Sequence, residues 1–444
     1  MEQKIKLSDH FGYKRLLRFT VPSILMMIIT SIYGVVDGFF ISNFVGKTPF
    51  AAVNFIMPFL MVVGVLGFMF GAGGSALVAK TMGEGEEDKA RKIFSMLIYS
   101  TIISGIIIAV LCIIFIRPIA VFLGADSSML ENCVVYGRII LAALPFLMLQ
   151  YAFSTLLVTA EKPKLGLYVT IIAGITNVIG DAVFIALLDM GVVGAALATA
   201  AGQVVGGIIP LIYFAFRKQG TLRLGKPYFN FGLLLKVCAN GSSELMSNIS
   251  MSVVGMLYNA QLMKYAGENG VAAYGTIMYV NFSFLAVFIG YSMGVAPVIS
   301  YHFGAKNSGE VKSILKKSLS IILSSSTVMF VLSEVMANSI ANIFVGYDKE
   351  LFEMTVRAFK IYSVSFMFAG FAIFGSSFFT ALNDGLTSAI ISFLRTLVFE
   401  VSAVMLLPLI FNLDGIWYSI VTAEVMAVIV TSFFVIKKRN DYGY

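Results

Sequence analysis

Twelve apolar runs, each near twenty residues or longer, follow one another along the 444 residues of this chain. They cover 16–40, 51–78, 93–116, 132–160, 166–188, 192–216, 237–263, 271–299, 318–345, 356–381, 387–410 and 415–436. A helix of about 20 residues rises about 30 Å, the thickness of a bilayer's hydrocarbon core. Lipid offers no partner for backbone N–H and C=O groups, so a spanning segment must satisfy them within itself, as a helix does. The expected fold is an all-α integral membrane protein of twelve transmembrane helices. Composition removes the soluble alternative. Charged residues are only 12% and hydrophobic ones 59%, against roughly a quarter charged in soluble domains. Mean hydropathy is +0.91. The run 16–40 is too long for a signal-peptide core and is read as the first span.

The loops set an orientation. Those on one side hold twenty-three basic residues: Lys4, Lys6, Lys14, Arg15 and Arg18; Lys80, Lys89, Arg91 and Lys92; Lys162 and Lys164; Arg217, Lys218, Arg223, Lys226 and Lys236; Lys306, Lys312, Lys316 and Lys317; Lys437, Lys438 and Arg439. The opposite loops hold four: Lys47, Arg117, Lys264 and Lys349. Basic loops stay on the cytoplasmic side, so both termini are expected there. The net charge of +7 is thus a topological signal; it forms no patch for nucleic acid.

The chain also repeats itself at a shift of 221 residues. Gly46, Ala51, Ala52, Ile56 and Met57 recur as Gly267, Ala272, Ala273, Ile277 and Met278. Gly73, Gly83 and Gly194 recur as Gly294, Gly304 and Gly415, and Thr159-Ala160 as Thr380-Ala381. Chance would match roughly one position in twelve for this usage. We expect two pseudo-symmetric six-helix bundles, 1–216 and 237–444, joined by a cytoplasmic segment, 217–236. Six spans per half means that both halves enter from the same side, with the substrate path between them.

Several motifs carry no chemistry. Gly46-Lys47-Thr48 lacks the upstream glycine of a phosphate loop, since that position is Ile41. Cys112, Cys133 and Cys238 are too dispersed for a disulfide framework or a thiolate metal site. His10 and His302 fall at helix ends without a second ligand group and read as solvated loop residues. With no nucleophile pair or metal spacing, an enzyme is not expected, and neither is a cofactor.

Ionisable side chains within the spans are costly and need a reason. Asp37 lies on helix 1, Asp181 on helix 5, and Asn177 one turn before it on the same face. At 1.5 Å per residue from the outer ends, Asp37 lies roughly 5 Å deep, Asp181 roughly 10 Å, Thr199 roughly 12 Å and Asn177 roughly 16 Å. Tyr136 on helix 4 falls in the same layer. Two carboxylates with amide and hydroxyl neighbours can hold a proton or a small cation such as Na⁺ and release it on rearrangement. The second half differs. The 221-residue shift sets Tyr258 opposite Asp37 and Ser402 opposite Asp181, and the charges are Glu244, Arg395, Glu400 and Glu424. Either these last three form an ion-paired packing cluster or, with Glu244, they contact a cationic substrate.

The sequence resembles the multidrug and toxic compound extrusion (MATE) transporters, in their MepA-like bacterial branch. The resemblance rests on Val36-Asp37-Gly38-Phe39-Phe40-Ile41, Asn177-x-x-x-Asp181, Gly191-x-x-Gly194-Ala195-Ala196-x-Ala198-Thr199, Pro297 through Ala305, and Gly415-Ile416-Trp417 with Glu424 beyond. It covers nearly the whole chain. It implies cation-coupled export of cationic amphiphiles by alternating access, with coupling at Asp37, Asn177, Asp181, Thr199 and Tyr136. The implied partners are small organic cations and membrane lipids, and the implied state is a monomer. Two places depart from the family pattern: Thr159-Ala160-Glu161-Lys162-Pro163 after helix 4, and Asn240-Gly241-Ser242-Ser243-Glu244 where helix 7 often has Gly-x-Pro. A flippase for a lipid-linked or amphiphilic metabolite is the alternative; it would require a basic central cleft, whereas these intramembrane charges are mostly acidic.

Overall fold

The computed structural model describes residues 5–216, 220–226 and 228–444, apart from the side chains of Val35 and Lys47. Lys4, Arg217, Lys218 and the Lys47 side chain, all counted in the orientation, lie outside the described residues. Among the described residues the chain is helical, with no strand.

In the first half, α1 (Tyr13–Phe40) continues as a π-helical turn, Ile41–Val45. Then come α2 (Lys47–Gly64), α3 (Leu66–Gly83), α4 (Glu87–Leu123) and α5 (Leu130–Thr159). α6 (Pro163–Gly180) runs on into a second π-helical stretch, Asp181–Leu187, and α7 (Gly191–Phe216) follows. The second half holds α8 (Phe231–Gly304), α9 (Ser308–Val345), α10 (Lys349–Ser363), α11 (Phe366–Ala381) and α12 (Gly385–Phe393). A third π-helical stretch, Leu394–Phe399, leads into α13 (Glu400–Leu406), α14 (Pro408–Lys437) and the short α15 (Arg439–Tyr442).

Among the described residues ten helical stretches are long and apolar enough to cross a membrane, α2 and α3 together forming one of them (Thr48–Gly83), and the pair α10–α11, bent by 46°, makes an eleventh. The 74-residue α8 is broken at Gly267, where φ 61° and ψ −150° leave helical space. Its two limbs are the expected spans 237–263 and 271–299, which makes twelve. Only glycine enters that region cheaply, so the reversal sits on it. The sequence had placed a loop there; the structure has a break inside a continuous helical run.

Two apolar cores form. One gathers Phe94, Tyr136, Phe153 and Phe214 from α4, α5 and α7; the Phe153 and Phe214 rings stack with centroids 5.7 Å apart, and Phe94 lies tilted against Phe214 at 4.8 Å. The other gathers α8 to α14 around Phe374, Phe378 and Trp417, and takes in Leu7, Phe11 and Phe19 from the start of the chain.

Contacts between the halves concentrate at the end that carries the C-terminus and residues 5–12, the terminal face. A Cβ on Gly73 would lie 2.2 Å from the Val237 carbonyl oxygen, and one on Gly241 would lie 2.0 Å from that of Met69. The repeat shift carries Thr20 to Gly241 and Gly73 to Gly294, and Gly294 duly packs on Thr20. Nearer the face, Gly83 meets the Tyr301 carbonyl and Gly304 that of Lys80, with 2.0 Å left for a Cβ at each. Backbone touches backbone, so the molecule is closed at this end.

A strap reinforces the closure. The Leu7 amide donates to Glu161 Oε1 (2.9 Å), the Phe11 amide donates to Glu310 Oε1 (2.8 Å), and Lys317 Nζ donates to the Phe11 carbonyl (2.6 Å). His10 Nδ1 lies 2.8 Å from Glu310 Oε2, and His302 is buried, with Nε2 3.3 Å from the Asp9 carbonyl. The reading of His302 as a solvated residue is therefore corrected; His10 is exposed as expected, but it has a carboxylate partner. Their partners come from segments about 300 residues away, which no local pattern reveals.

Candidate functional site

The site begins where α1 crosses α6. A Cβ on Gly174 would come within 2.3 Å of the Tyr33 ring, so only glycine admits this crossing, and the Tyr33 hydroxyl donates to the Thr170 carbonyl at 2.6 Å. Asp37 stands one turn beyond Tyr33 on the same face of α1. Asn177 and Asp181 stand three and seven residues beyond Gly174 on the same face of α6. The crossing thus turns these groups toward one another.

α7 closes the third side through small residues. A Cβ on Gly180 would lie 2.8 Å from that of Ala198, and one on Gly202 would lie 3.1 Å from the Asn177 Cβ. This approach delivers Thr199, whose hydroxyl donates to Asp37 Oδ1 at 3.3 Å. Asn177 and Asp181 act on the Asp37 carboxyl at short range. Tyr136, wholly buried on α5, acts with Thr199, Asp37 and Asp181. All five residues expected in one layer are brought together.

Burial and missing partners give the cluster its character. Asp181 is 0% exposed and Asp37 9%. Both oxygens of Asp181, Nδ2 of Asn177 and the Tyr136 hydroxyl have no hydrogen-bond partner among the described residues. Buried polar atoms are normally paired, and buried charges are compensated. Two adjacent buried carboxyls without a basic partner are stable when they hold positive charge, either as a proton or as a small cation. Carboxylate, hydroxyl and amide oxygens are the donors a hard cation prefers. Among the described residues no group of three or more His, Cys, Asp or Glu could hold a metal ion. Asp181 opens a π-helical stretch, and such widened turns frequently mark functional positions.

The second-half charges arrange themselves differently. Arg395, on the π-helical stretch Leu394–Phe399, donates from Nε to both oxygens of Glu424 at 3.0 Å and from Nη2 to Oε1 at 2.7 Å. Glu424 is only 2% exposed. This forked pair satisfies itself. Glu400 lies within electrostatic reach of that pair and of the phenols of Tyr258, Tyr274 and Tyr362. Tyr258 and Tyr274 stack in parallel with centroids 5.2 Å apart, and the Tyr258 hydroxyl has no hydrogen-bond partner among the described residues. Sequence reasoning did not join these tyrosines to Glu400, although the repeat shift had set Tyr258 opposite Asp37. Glu244, on the first limb of α8, is half-buried, and its carboxyl makes no hydrogen bond or ion pair with a described residue.

The MatE family model matches residues 22–183 and, a second time, 245–406. Multidrug export protein MepA of Staphylococcus haemolyticus is 25% identical over 446 residues, covering 99% of this chain and 96% of that protein. MepA of Staphylococcus aureus strain MSSA476 is 25% identical over 435 residues, covering 96% and 94%. Among solved structures, a crystal structure of MATE in complex with MaL6 superposes with a TM-score of 0.93 at 20% identity over both full chains. A multidrug resistance MATE family transporter of the MOP superfamily, in an outward-facing conformation, superposes at 0.92 and 20%, again over both full chains. These structures have the twelve-helix fold described above.

Proposed function

We propose that this chain, which belongs to the MatE family of multidrug efflux transporters, is an antiporter that exchanges a proton or Na⁺ for organic cations by alternating access. The observation that carries this reading is the buried cluster of Asp37, Asn177, Asp181 and Thr199 on three helices of one half. The halves 1–216 and 237–444 rock about the connecting segment 217–236. The basic loops orient the terminal face to the cytoplasm, so the closed terminal face makes this an outward-facing state.

Coupling requires that ion and drug favour different conformations. Occupied by a proton or Na⁺, the carboxyls of Asp37 and Asp181 tolerate close packing of α1 on α6. Emptied, they repel, and α1 repacks. Thr199 holds the Asp37 carboxyl in register, Asn177 offers its amide beside it, and Tyr136 bounds the layer.

On the substrate side, Glu400 within electrostatic reach of the stacked Tyr258–Tyr274 pair combines negative charge with aromatic faces, the chemistry that suits a desolvated organic cation. Glu244 is the second acidic contact. Arg395 and Glu424 hold Glu400 in place through their mutual pair. Flexible methionines suit ligands of varied shape. Glu244→Gln should weaken cationic substrates more than neutral ones; equal losses would assign Glu244 to packing.

The test is transport by purified protein in proteoliposomes, with pH and Na⁺ gradients imposed separately. Uphill movement of an organic cation driven by one of them is expected. Movement independent of both gradients would remove the antiport reading.

A further inference from the structure

Outside the described site lies a cavity of about 640 Å³ at the terminal face, between α4 and the segment that follows α7. Four of its lining side chains are cationic: Arg91, Lys92, Arg223 and Lys226. They come from two stretches more than 130 residues apart, and no carboxylate is among the residues that line it. Among the described residues Arg91 pairs with Asp88, on the exposed first turn of α4.

The cavity has a fixed wall. The Leu224 amide donates to the Phe214 carbonyl (3.1 Å) and the Gly225 amide to Ser95 Oγ (2.9 Å), while the Tyr99 hydroxyl donates to the Gly225 carbonyl (3.2 Å). Leu222 is buried beneath. These bonds hold Arg223 and Lys226 over α4 in a set place. Basic residues that merely orient a chain need no such convergence, and like charges gathered in one cavity repel, so an anion between them is favourable.

The mouth of the cavity adjoins lipid. Phe216 lines it and is 80% exposed, and Ile212, one turn earlier on the same face of α7, is 51% exposed. Phe229 and Phe231, just after the lining residue Tyr228 in sequence, are also exposed. A ligand with an anionic head in the cavity and an acyl chain along Phe216 and Ile212 satisfies both surfaces.

We propose that this cavity is a binding site for the phosphate head of an anionic phospholipid in the leaflet at the terminal face. The lipid bridges the first half to the connecting segment, so it holds the joint between the halves. Its assignment to the inner leaflet rests on the orientation proposed above; the binding itself does not.

The test uses purified full-length protein in mixed micelles, with the thermal midpoint followed against added lipid. Phosphatidylglycerol should raise the midpoint saturably, and phosphatidylcholine should not. Charge near a membrane surface contributes about a factor of five in affinity per Lys, so K92Q and K226Q should each need about fivefold more lipid, and the double variant about thirtyfold. Each variant's midpoint without lipid should be no lower than the parent's, which excludes misfolding as the cause. K312Q/K316Q, basic residues of the same face outside the cavity, should stay within about twofold of the parent. Equal weakening in that control would overturn the site in favour of diffuse attraction. Equal stabilisation by inorganic phosphate at the same phosphate concentration would overturn the lipid as ligand. Labelling of Lys226→Cys from outside intact cells would remove the inner-leaflet assignment alone, leaving the micelle result standing.

Discussion

The Glu310 carboxylate accepts the Phe11 amide at 2.8 Å across 299 residues of sequence, and this bond pins the start of the chain across the junction of the two halves. The same segment reaches Glu161 of the first half through Leu7. A segment tied to both halves must yield when the terminal face opens. Glu310→Ala removes the acceptor from Phe11 and His10 together. It should cost about 1–3 kcal/mol in thermal or denaturant stability and expose a cysteine placed at Leu7 to thiol reagents. Unchanged labelling of Leu7→Cys would show that the strap is held by its apolar contacts instead.

Glycine contacts make the closed face brittle. A methyl at Gly83 or Gly304 would sit 2.0 Å from a carbonyl oxygen on the opposing helix, closer than any real contact. Gly83→Ala and Gly304→Ala should each separate α3 from the second limb of α8. Spin labels at Glu84 and Lys306 should report a longer distance in both variants than in the parent. Identical distance distributions would mean that the backbones shift locally and the halves stay closed.

The Arg395–Glu424 pair should behave as structure. Removing one partner strands a buried charge, so Glu424→Ala should destabilise by about 3–5 kcal/mol, while a paired R395M/E424L replacement should recover most of the loss. Glu400→Gln, by contrast, should leave the melting temperature nearly unchanged and weaken organic cations. Thermal unfolding of the four proteins distinguishes these roles.

Asp384 anchors the C-terminal segment by accepting from Lys438 Nζ at 2.6 Å, the Tyr442 hydroxyl at 2.9 Å and the Thr387 hydroxyl at 2.7 Å. Burial alone would raise its carboxyl, but the Lys438 ammonium and the hydroxyl donors outweigh that and hold it below the ordinary 3.8. A depressed value means the contribution is present above pH 3.8 and lost as pH falls through the lower folded value. A fluorophore on the C-terminus should therefore stay immobile through pH 4 and loosen only in stronger acid. Asp384→Asn should loosen it at neutral pH.

The spans were legible because length and hydropathy alone identify a membrane helix, whatever its packing. The first-half site was legible because Asp37 and Asp181 are expensive in lipid and Asn177 repeats at helical spacing. Other features left no local trace. Tyr274 and Tyr362 look like any aromatic residue in a span until folding brings them to Glu400. The strap residues Leu7 and Phe11 sit in a mixed polar stretch, and only tertiary contacts bury them. The pairing of Arg395 with Glu424 was one of two readings, since spacing within helices does not fix which faces meet across them.

The most direct measurement of the coupling claim is uphill drug efflux by Asp37→Asn and Asp181→Asn in proteoliposomes, alongside equilibrium binding of the same drug. Asparagine keeps the shape of the side chain and removes the charge, so folding and coupling are separated. Both variants should express and bind drug at close to parental affinity, yet fail to accumulate it against a gradient. Uphill efflux at parental rates in both single variants would contradict the account and move coupling to Glu400 and Glu424.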